Sequence, residues 1–113
     1  MVQLQVQKCL PCEGGMLPLS ISRVEELLKE ISGWTAALDT RSISKEFRFA
    51  KFLDAMCFVN EAARIAETEG HHPDMEIRYN RVRVTLSTHA IGGLSLNDFI
   101  LAAKLDQIRF EDS

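Results

Sequence analysis

Basic residues are in the minority in this chain: 13 Lys and Arg stand against 16 Asp and Glu, for a net charge of −3. That balance offers no basic field to nucleic-acid phosphates, so direct nucleic-acid binding is not expected. Long apolar runs are missing too. None approaches the roughly 18 residues that cross a bilayer, and no membrane association is expected. The opening Met1-Val2-Gln3-Leu4-Gln5 has neither the charged and apolar regions of a secretory signal nor the Arg and Ser richness of a transit peptide. The expected setting is soluble and intracellular, in the cytoplasm or an organelle such as a plastid. There is no GxSxG elbow and no glycine-rich phosphate loop after a strand, so neither serine hydrolysis nor a nucleotide cofactor is indicated.

Cysteine is scarce, with three in the chain. Cys9 and Cys12 form a single CxxC, which supplies two thiolates where a structural zinc site needs four ligands. A redox motif would continue into a helix, whereas Glu13-Gly14-Gly15 reads as a turn. The pair is read as structurally minor, with a metal site or a disulfide as alternatives. Cys57 falls in a helical pattern and is expected to be a small buried hydrophobe.

What is present is ordinary globular composition, 46% hydrophobic and 26% charged, in 113 residues. That is enough for one domain, 1–113, with its own core. Residues 1–19 are expected to be irregular, broken by Pro11, Gly14, Gly15 and Pro18. Ser20 or Ser22 opens a helix, with Ser22 and Glu25 as a capping box, and Val24, Leu27, Leu28 and Ile31 repeat at helical spacing up to Ser32-Gly33. Trp34–Leu38 and Ile43–Phe49 read as strands joined by the turn-rich Asp39-Thr40-Arg41-Ser42, with Lys45 interrupting the apolar side of the second.

A long helix follows from Ala50 to Glu69. Its expected core stripe is Phe52, Leu53, Met56, Val59, Ala63 and Ala66, continuing Phe49, and Gly70 ends it. Met75, Ile77 and Tyr79, then Val82, Val84 and Leu86, alternate as two more strands around Asn80-Arg81. Ser95 and Asp98 resemble a second capping box. The helix they open carries Phe99, Ile100, Leu101, Ala102, Ala103, Leu105 and Ile108 and is apolar on nearly every side. A small sheet covers only one side of such a helix, so the surplus is read as a homo-oligomer interface. The expected fold is α+β: a four-stranded antiparallel sheet with three helices packed on one face, in the order α-β-β-α-β-β-α.

All three histidines fall within nineteen positions, as His71-His72-Pro73 and Thr88-His89. His71 and His72 lie just past a helix C-terminus, and Pro73 biases His72 toward extended backbone. Antiparallel pairing of the flanking strands brings His89, on the polar parity of the fourth strand, to the same sheet end. Three imidazoles suggest a catalytic zinc site, but neighbours on an extended segment point to opposite sides. Proton transfer on a small molecule is the chemistry that remains, as in adding or eliminating water. Glu67, Glu69, Asp74 and Asp98 are the acids near enough to orient the rings, though each also reads as an ordinary helix-end or surface carboxylate.

Glu67-Thr68-Glu69-Gly70-His71-His72-Pro73-Asp74, together with Tyr79 through His89, resembles pterin-4a-carbinolamine dehydratase. The similarity extends through Gly93-Leu94-Ser95 and Asn97–Lys104 and back to Gly33-Trp34 and Phe47-Arg48-Phe49. The Cys12-Glu13-Gly14-Gly15 leader looks like a subgroup from bacteria and plastid-bearing organisms. The resemblance implies a hydro-lyase, 4a-hydroxytetrahydrobiopterin dehydratase, which converts 4a-hydroxytetrahydropterin to quinonoid dihydropterin in tetrahydropterin recycling. It implies no metal or organic cofactor, and a homodimer or homotetramer. His71 and His89 would be the general acid/base pair, and His72 would bind the pterin and share in proton transfer. Pro73, Glu67, Thr88 and Asp98 would complete the binding site. Animal members carry an acidic or amide residue where this chain has Gly70, and a tryptophan where it has Met75. The alternative implied by the same fold is a non-enzymatic role, as a dimerisation cofactor of a homeodomain transcription factor or an assembly factor for the carbon-fixing carboxylase.

Overall fold

The structure, a computed structural model, describes residues 4–10 and 17–108. Three helices, α1 (Ile21–Leu28), α2 (Phe52–Glu69) and α3 (Leu96–Leu105), accompany four strands, β1 (Thr35–Ala36), β2 (Ile43–Arg48), β3 (Asp74–Arg78) and β4 (Arg81–Leu86). The strands form one antiparallel sheet in the order β1-β2-β4-β3, so α2 carries the chain from β2 across to the β3–β4 hairpin. The expected α+β architecture and element order are found. Val82, Val84 and Leu86 are buried while Arg81 and Arg83 are exposed, which marks one sheet face as the core side. Trp34, Phe47, Phe49 and Phe58 cluster beneath that face, with ring centroids 4.4–6.0 Å apart.

Several boundaries differ from the sequence reading, each for a physical reason. The N-terminal segment is not wholly irregular: Leu4–Val6 forms a short 3-10 turn with Leu4 buried. Pro11, Cys12, Glu13, Gly14 and Gly15 lie outside the described residues. Ser20 caps α1, accepting the Arg23 backbone N–H at 3.2 Å, and the expected Ser22–Glu25 box does not form. The helix stops at Leu28 rather than reaching Ser32. β1 keeps only two residues because Leu38 belongs to the following turn and is fully exposed. Lys45, which interrupts the apolar side of β2, is paired: its ammonium donates to Asp106 Oδ1 and to the Ser32 carbonyl, both at 2.8 Å. Asp106 also accepts the Trp34 indole N–H, at 3.0 and 3.2 Å to its two oxygens.

The phase of α2 differs from the expected stripe. Its buried residues are Ala55, Phe58, Ala62 and Ala66, whereas Phe52, Leu53 and Ala63 are exposed. Apart from Phe58, the buried positions carry alanine, which lets the helix approach the core closely, while Phe52 and Leu53 are left on the outer side. Cys57 shares that outer side and is exposed, not buried. Gly70 caps the helix in the left-handed conformation (φ +67°), which suits glycine. Tyr79 leaves the strand for the turn, where it takes φ +52°. Asn80 fixes that turn by donating from Nδ2 to the Phe49 carbonyl at 2.8 Å.

The terminal helix is not left with an uncovered apolar side. Every residue of α3 from Asn97 to Ala103, and Leu105, is buried within the single chain. The cover missing from the sequence reading is the Leu4–Val6 turn, which packs directly on α3, with α2 on another side. On α3 the one exposed large apolar residue is Leu96 at its start, whereas α2 exposes Phe52 and Leu53.

Candidate active site

The C-terminus of α2, the hairpin end and the N-terminus of α3 meet at one end of the sheet. Asp74 at the start of β3 pairs with Thr85 near the end of β4, so the expected juxtaposition of His71-His72 with His89 is present. His89 does not continue the polar face of β4, which ends at Leu86. It begins a short 3-10 turn, His89–Ile91, framed by the Thr88–Gly93 bridge. All three histidines line one open cleft of about 480 Å³, together with Cys9, Leu10, Glu69, Gly70, Ser87, Thr88, Ala90 and Asn97.

Local structure explains each position. The His71 backbone N–H donates to the Ala66 carbonyl at 3.2 Å, closing the end of α2 and directing the histidine pair across the sheet. His71 is the inner member, with a side chain only 11% exposed and Nε2 at 2.6 Å from Asp98 Oδ1. Asp98 is fully buried, and its Oδ2 accepts the Thr88 hydroxyl at 2.8 Å and the Ser95 backbone N–H at 3.0 Å. The latter is one arm of the capping box expected from Ser95 and Asp98, so one carboxylate both starts α3 and holds an imidazole. Thr88 also shares a hydroxyl contact of 2.7 Å with Ser95.

His72 is the outer member. Its Nε2 lies 2.6 Å from Glu67 Oε1, and the two side chains are 60% and 78% exposed. The exposed His89 makes no side-chain hydrogen bond to another described residue, so its ring is open to a ligand in the cleft. Among the nearby acids, Glu67 and Asp98 contact imidazoles, whereas Asp74 stands exposed at the strand start. Glu69 is turned the other way: Oε1 accepts the Cys9 backbone N–H at 2.8 Å and Oε2 pairs with the Lys104 ammonium at 3.1 Å. Burial alone would raise the Glu69 pKa, but the Cys9 N–H and the Lys104 ammonium outweigh it and hold the carboxyl below its ordinary range. Pro73, Glu67 and Asp98 stand behind or beside the cleft lining rather than on it.

An imidazole held by a carboxylate through one ring nitrogen can exchange a proton through the other, which is chemistry open to an acid/base site. The two carboxylates face different rings, and among the described residues no three His, Cys, Asp or Glu side chains are placed to hold one metal ion. Leu10 and Asn97 were not singled out from sequence as site residues, and Cys9 only as half of a CxxC. Cys9 and Asn97 are 88 positions apart, a separation that leaves no local signal.

Residues 17–108 match the model of the family described as Pterin 4 alpha carbinolamine dehydratase. The chain belongs to that family. A relative from Nitrosomonas eutropha is 52% identical over 103 residues, 90% of this chain and 89% of its own. One from Nitrosospira multiformis is 46% identical over 105 residues, 93% of this chain and 91% of its own. Both carry the provisional name pterin-4-alpha-carbinolamine dehydratase. A crystal structure from Brucella melitensis, titled transcriptional coactivator/pterin dehydratase, superposes with a TM-score of 0.76 at 36% identity, covering 79% of this chain and 95% of that one. A pterin dehydratase-like protein described as a RuBisCO assembly factor of the alpha-carboxysome shares the fold, with a TM-score of 0.57 at 21% identity, covering 66% and 86% of the two chains. No described helix is long and apolar enough to cross a membrane.

Proposed function

We propose that the chain is a 4a-hydroxytetrahydrobiopterin dehydratase that works by histidine general acid/base catalysis, without metal or organic cofactor. The observation that carries this reading is the convergence of all three histidines on one cleft, two of them backed by carboxylates at 2.6 Å. In the dehydration, an imidazolium gives a proton to the C4a hydroxyl and the C4a–O bond breaks, its electron pair leaving on oxygen. A neutral imidazole removes a proton from a ring nitrogen. The products are water and quinonoid dihydropterin, and no electrons change hands. His71 and His89 form the acid/base pair. His72, steered by Glu67, binds and orients the pterin, while Asp98 and Thr88 act through His71 as positioning residues. Pro73 stiffens the loop that carries His72.

A direct assay decides it. Purified protein accelerates dehydration of the carbinolamine without added metal, and His89→Ala removes most of the rate, on the order of 10²-fold or more. Full activity in a His71→Ala, His89→Ala double variant overturns the mechanism.

A second reading, an interaction or assembly protein, is favoured by the exposed Phe52 and Leu53 on α2 and by the double title of the Brucella melitensis relative. It would show as a stoichiometric partner without dehydratase activity. The same outer side of α2 supports self-association as a homodimer or homotetramer.

A further inference from the structure

The cleft has a wall that the acid/base chemistry does not use. Cys9 and Leu10 line it together with the histidines, although they come from the far end of the chain. Asn97 holds this segment through its side-chain amide. Oδ1 accepts the Leu10 backbone N–H at 2.9 Å, and Nδ2 donates back to the Leu10 carbonyl. A primary amide satisfies both backbone groups of one residue, as a neighbouring strand would, so Asn97 acts as a one-residue strand partner. The Cys9 backbone N–H is taken by Glu69, which Lys104 neutralises, and the Cys9 thiol lies 3.6 Å from the Asn97 carbonyl. Asn97 and the Glu69 side chain are both 7% exposed.

The positions of these anchors matter. Glu69 lies two residues before His71 on the end of α2, and Asn97 adjoins Asp98 at the start of α3. The helix ends that fix the inner histidine therefore also fix the strap, and the gap between them is set by the same backbone. Leu10 leaves 71% of its surface uncovered, at the rim of that gap.

We propose that Asn97 latches the Cys9–Leu10 segment as a specificity-determining wall of the histidine cleft, giving the flat pterin an apolar contact in addition to the imidazoles. This rests on the dehydratase reading of the cleft. The wall contributes ground-state and transition-state contact equally, so it sets KM and leaves kcat in place.

Two variants test it, with kinetics and thiol labelling in a Cys12→Ser, Cys57→Ser background. Leu10→Ala keeps the backbone latch and trims the wall; Asn97→Ala opens the latch. Both are expected to raise KM for the carbinolamine by about tenfold while kcat stays within about twofold. Asn97→Ala alone speeds modification of the Cys9 thiol, which is half-buried in the latched segment. Unchanged KM in both variants overturns the proposal while wild-type turnover keeps the dehydratase reading. A fall in kcat at constant KM also overturns it, because the residues would then act on the histidines. If Asn97→Ala does not fold, Leu10→Ala alone decides. If wild type shows no turnover, the dehydratase reading fails, and equilibrium binding of 7,8-dihydropterin judges the wall: tenfold weaker binding in Leu10→Ala sustains it, and no binding or equal binding sinks it.

Discussion

Asp98 receives the His71 ring, the Thr88 hydroxyl and the Ser95 backbone N–H while fully buried. Replacing it with asparagine keeps the shape but removes the charge and turns one acceptor into a donor, so the His71 ring must change tautomer or a partner is left facing a like group. Asp98→Asn is expected to cost about 1–3 kcal/mol of stability, the penalty of a buried polar mismatch, measured by urea unfolding. On the dehydratase reading it also lowers kcat by about tenfold or more, because His71 loses its orientation. Glu67→Gln should cost under about 1 kcal/mol, since its pair with His72 is largely in water. Glu69 makes a pH prediction. Its folded pKa lies below its ordinary value of 4.5, so between the two values the unfolded chain binds more protons and stability rises with pH. The contribution is complete above about pH 4.5 and is lost as pH falls through the folded value. In Glu69→Gln the acid limb of a stability–pH curve should be shallower than in wild type; identical limbs would refute the assignment. Cys9 is the opposite case. Burial foremost, with the nearby Glu69 charge, pushes its thiol up to about 12, so it should label far more slowly than the exposed Cys57 at pH 8.

Helix α2 shows what periodicity conveys and what it leaves open. Its existence, its length and its end at Gly70 follow from spacing and from a glycine that tolerates φ +67°. Its phase does not, because the buried face is built mainly from Ala55, Ala62 and Ala66, which look weak beside Leu53 and Phe52. Hydrophobicity favours the large residues, whereas close packing against Phe47 and Phe49, to either side of the helix's own Phe58, favours small ones. The distinction is testable by substitution at adjacent positions. Ala62→Leu overfills a site with no exposed surface and should destabilise by about 1–3 kcal/mol. Ala63→Leu, one position along and exposed, should change stability by less than about 0.5 kcal/mol. Equal effects would mean that the helix is rotated from the orientation described. The His89 turn is a similar case: strand parity placed the residue at the correct sheet end but not on the correct element. What ends β4 is the Thr88–Gly93 bridge, whose return from Gly93 is not written in alternation. Gly93 admits no side chain, since a Cβ there would stand 2.8 Å from Pro18.

At the scale of the whole chain, the fold and the convergence of the histidines were legible because they depend on contiguous patterns and one hairpin. The N-terminal contribution was not, since Leu4 reaches α3 and Cys9 reaches Asn97 across most of the sequence. Covering α3 in this way changes where self-association should occur. With α3 enclosed, the outer side of α2 presents Phe52 at 45% and Leu53 at 70% exposure, and Met56 and Val59 continue the strip half-buried. Single exposed apolar residues need no explanation, but a strip along two turns of an 18-residue helix is what a helix–helix interface uses. Light scattering should find wild-type protein at a multiple of its 12.7 kDa chain mass. Leu53→Asp would place a charge in the interface and shift the mass toward a single chain. Because residue 53 is exposed in the lone chain, the variant should keep its circular dichroism spectrum, which separates lost association from lost folding. A wild-type protein that stays at 12.7 kDa at high concentration would remove α2 as an interface. A Leu53→Asp variant that still assembles would move the contact to another surface, leaving the three-histidine cleft a property of each chain by itself.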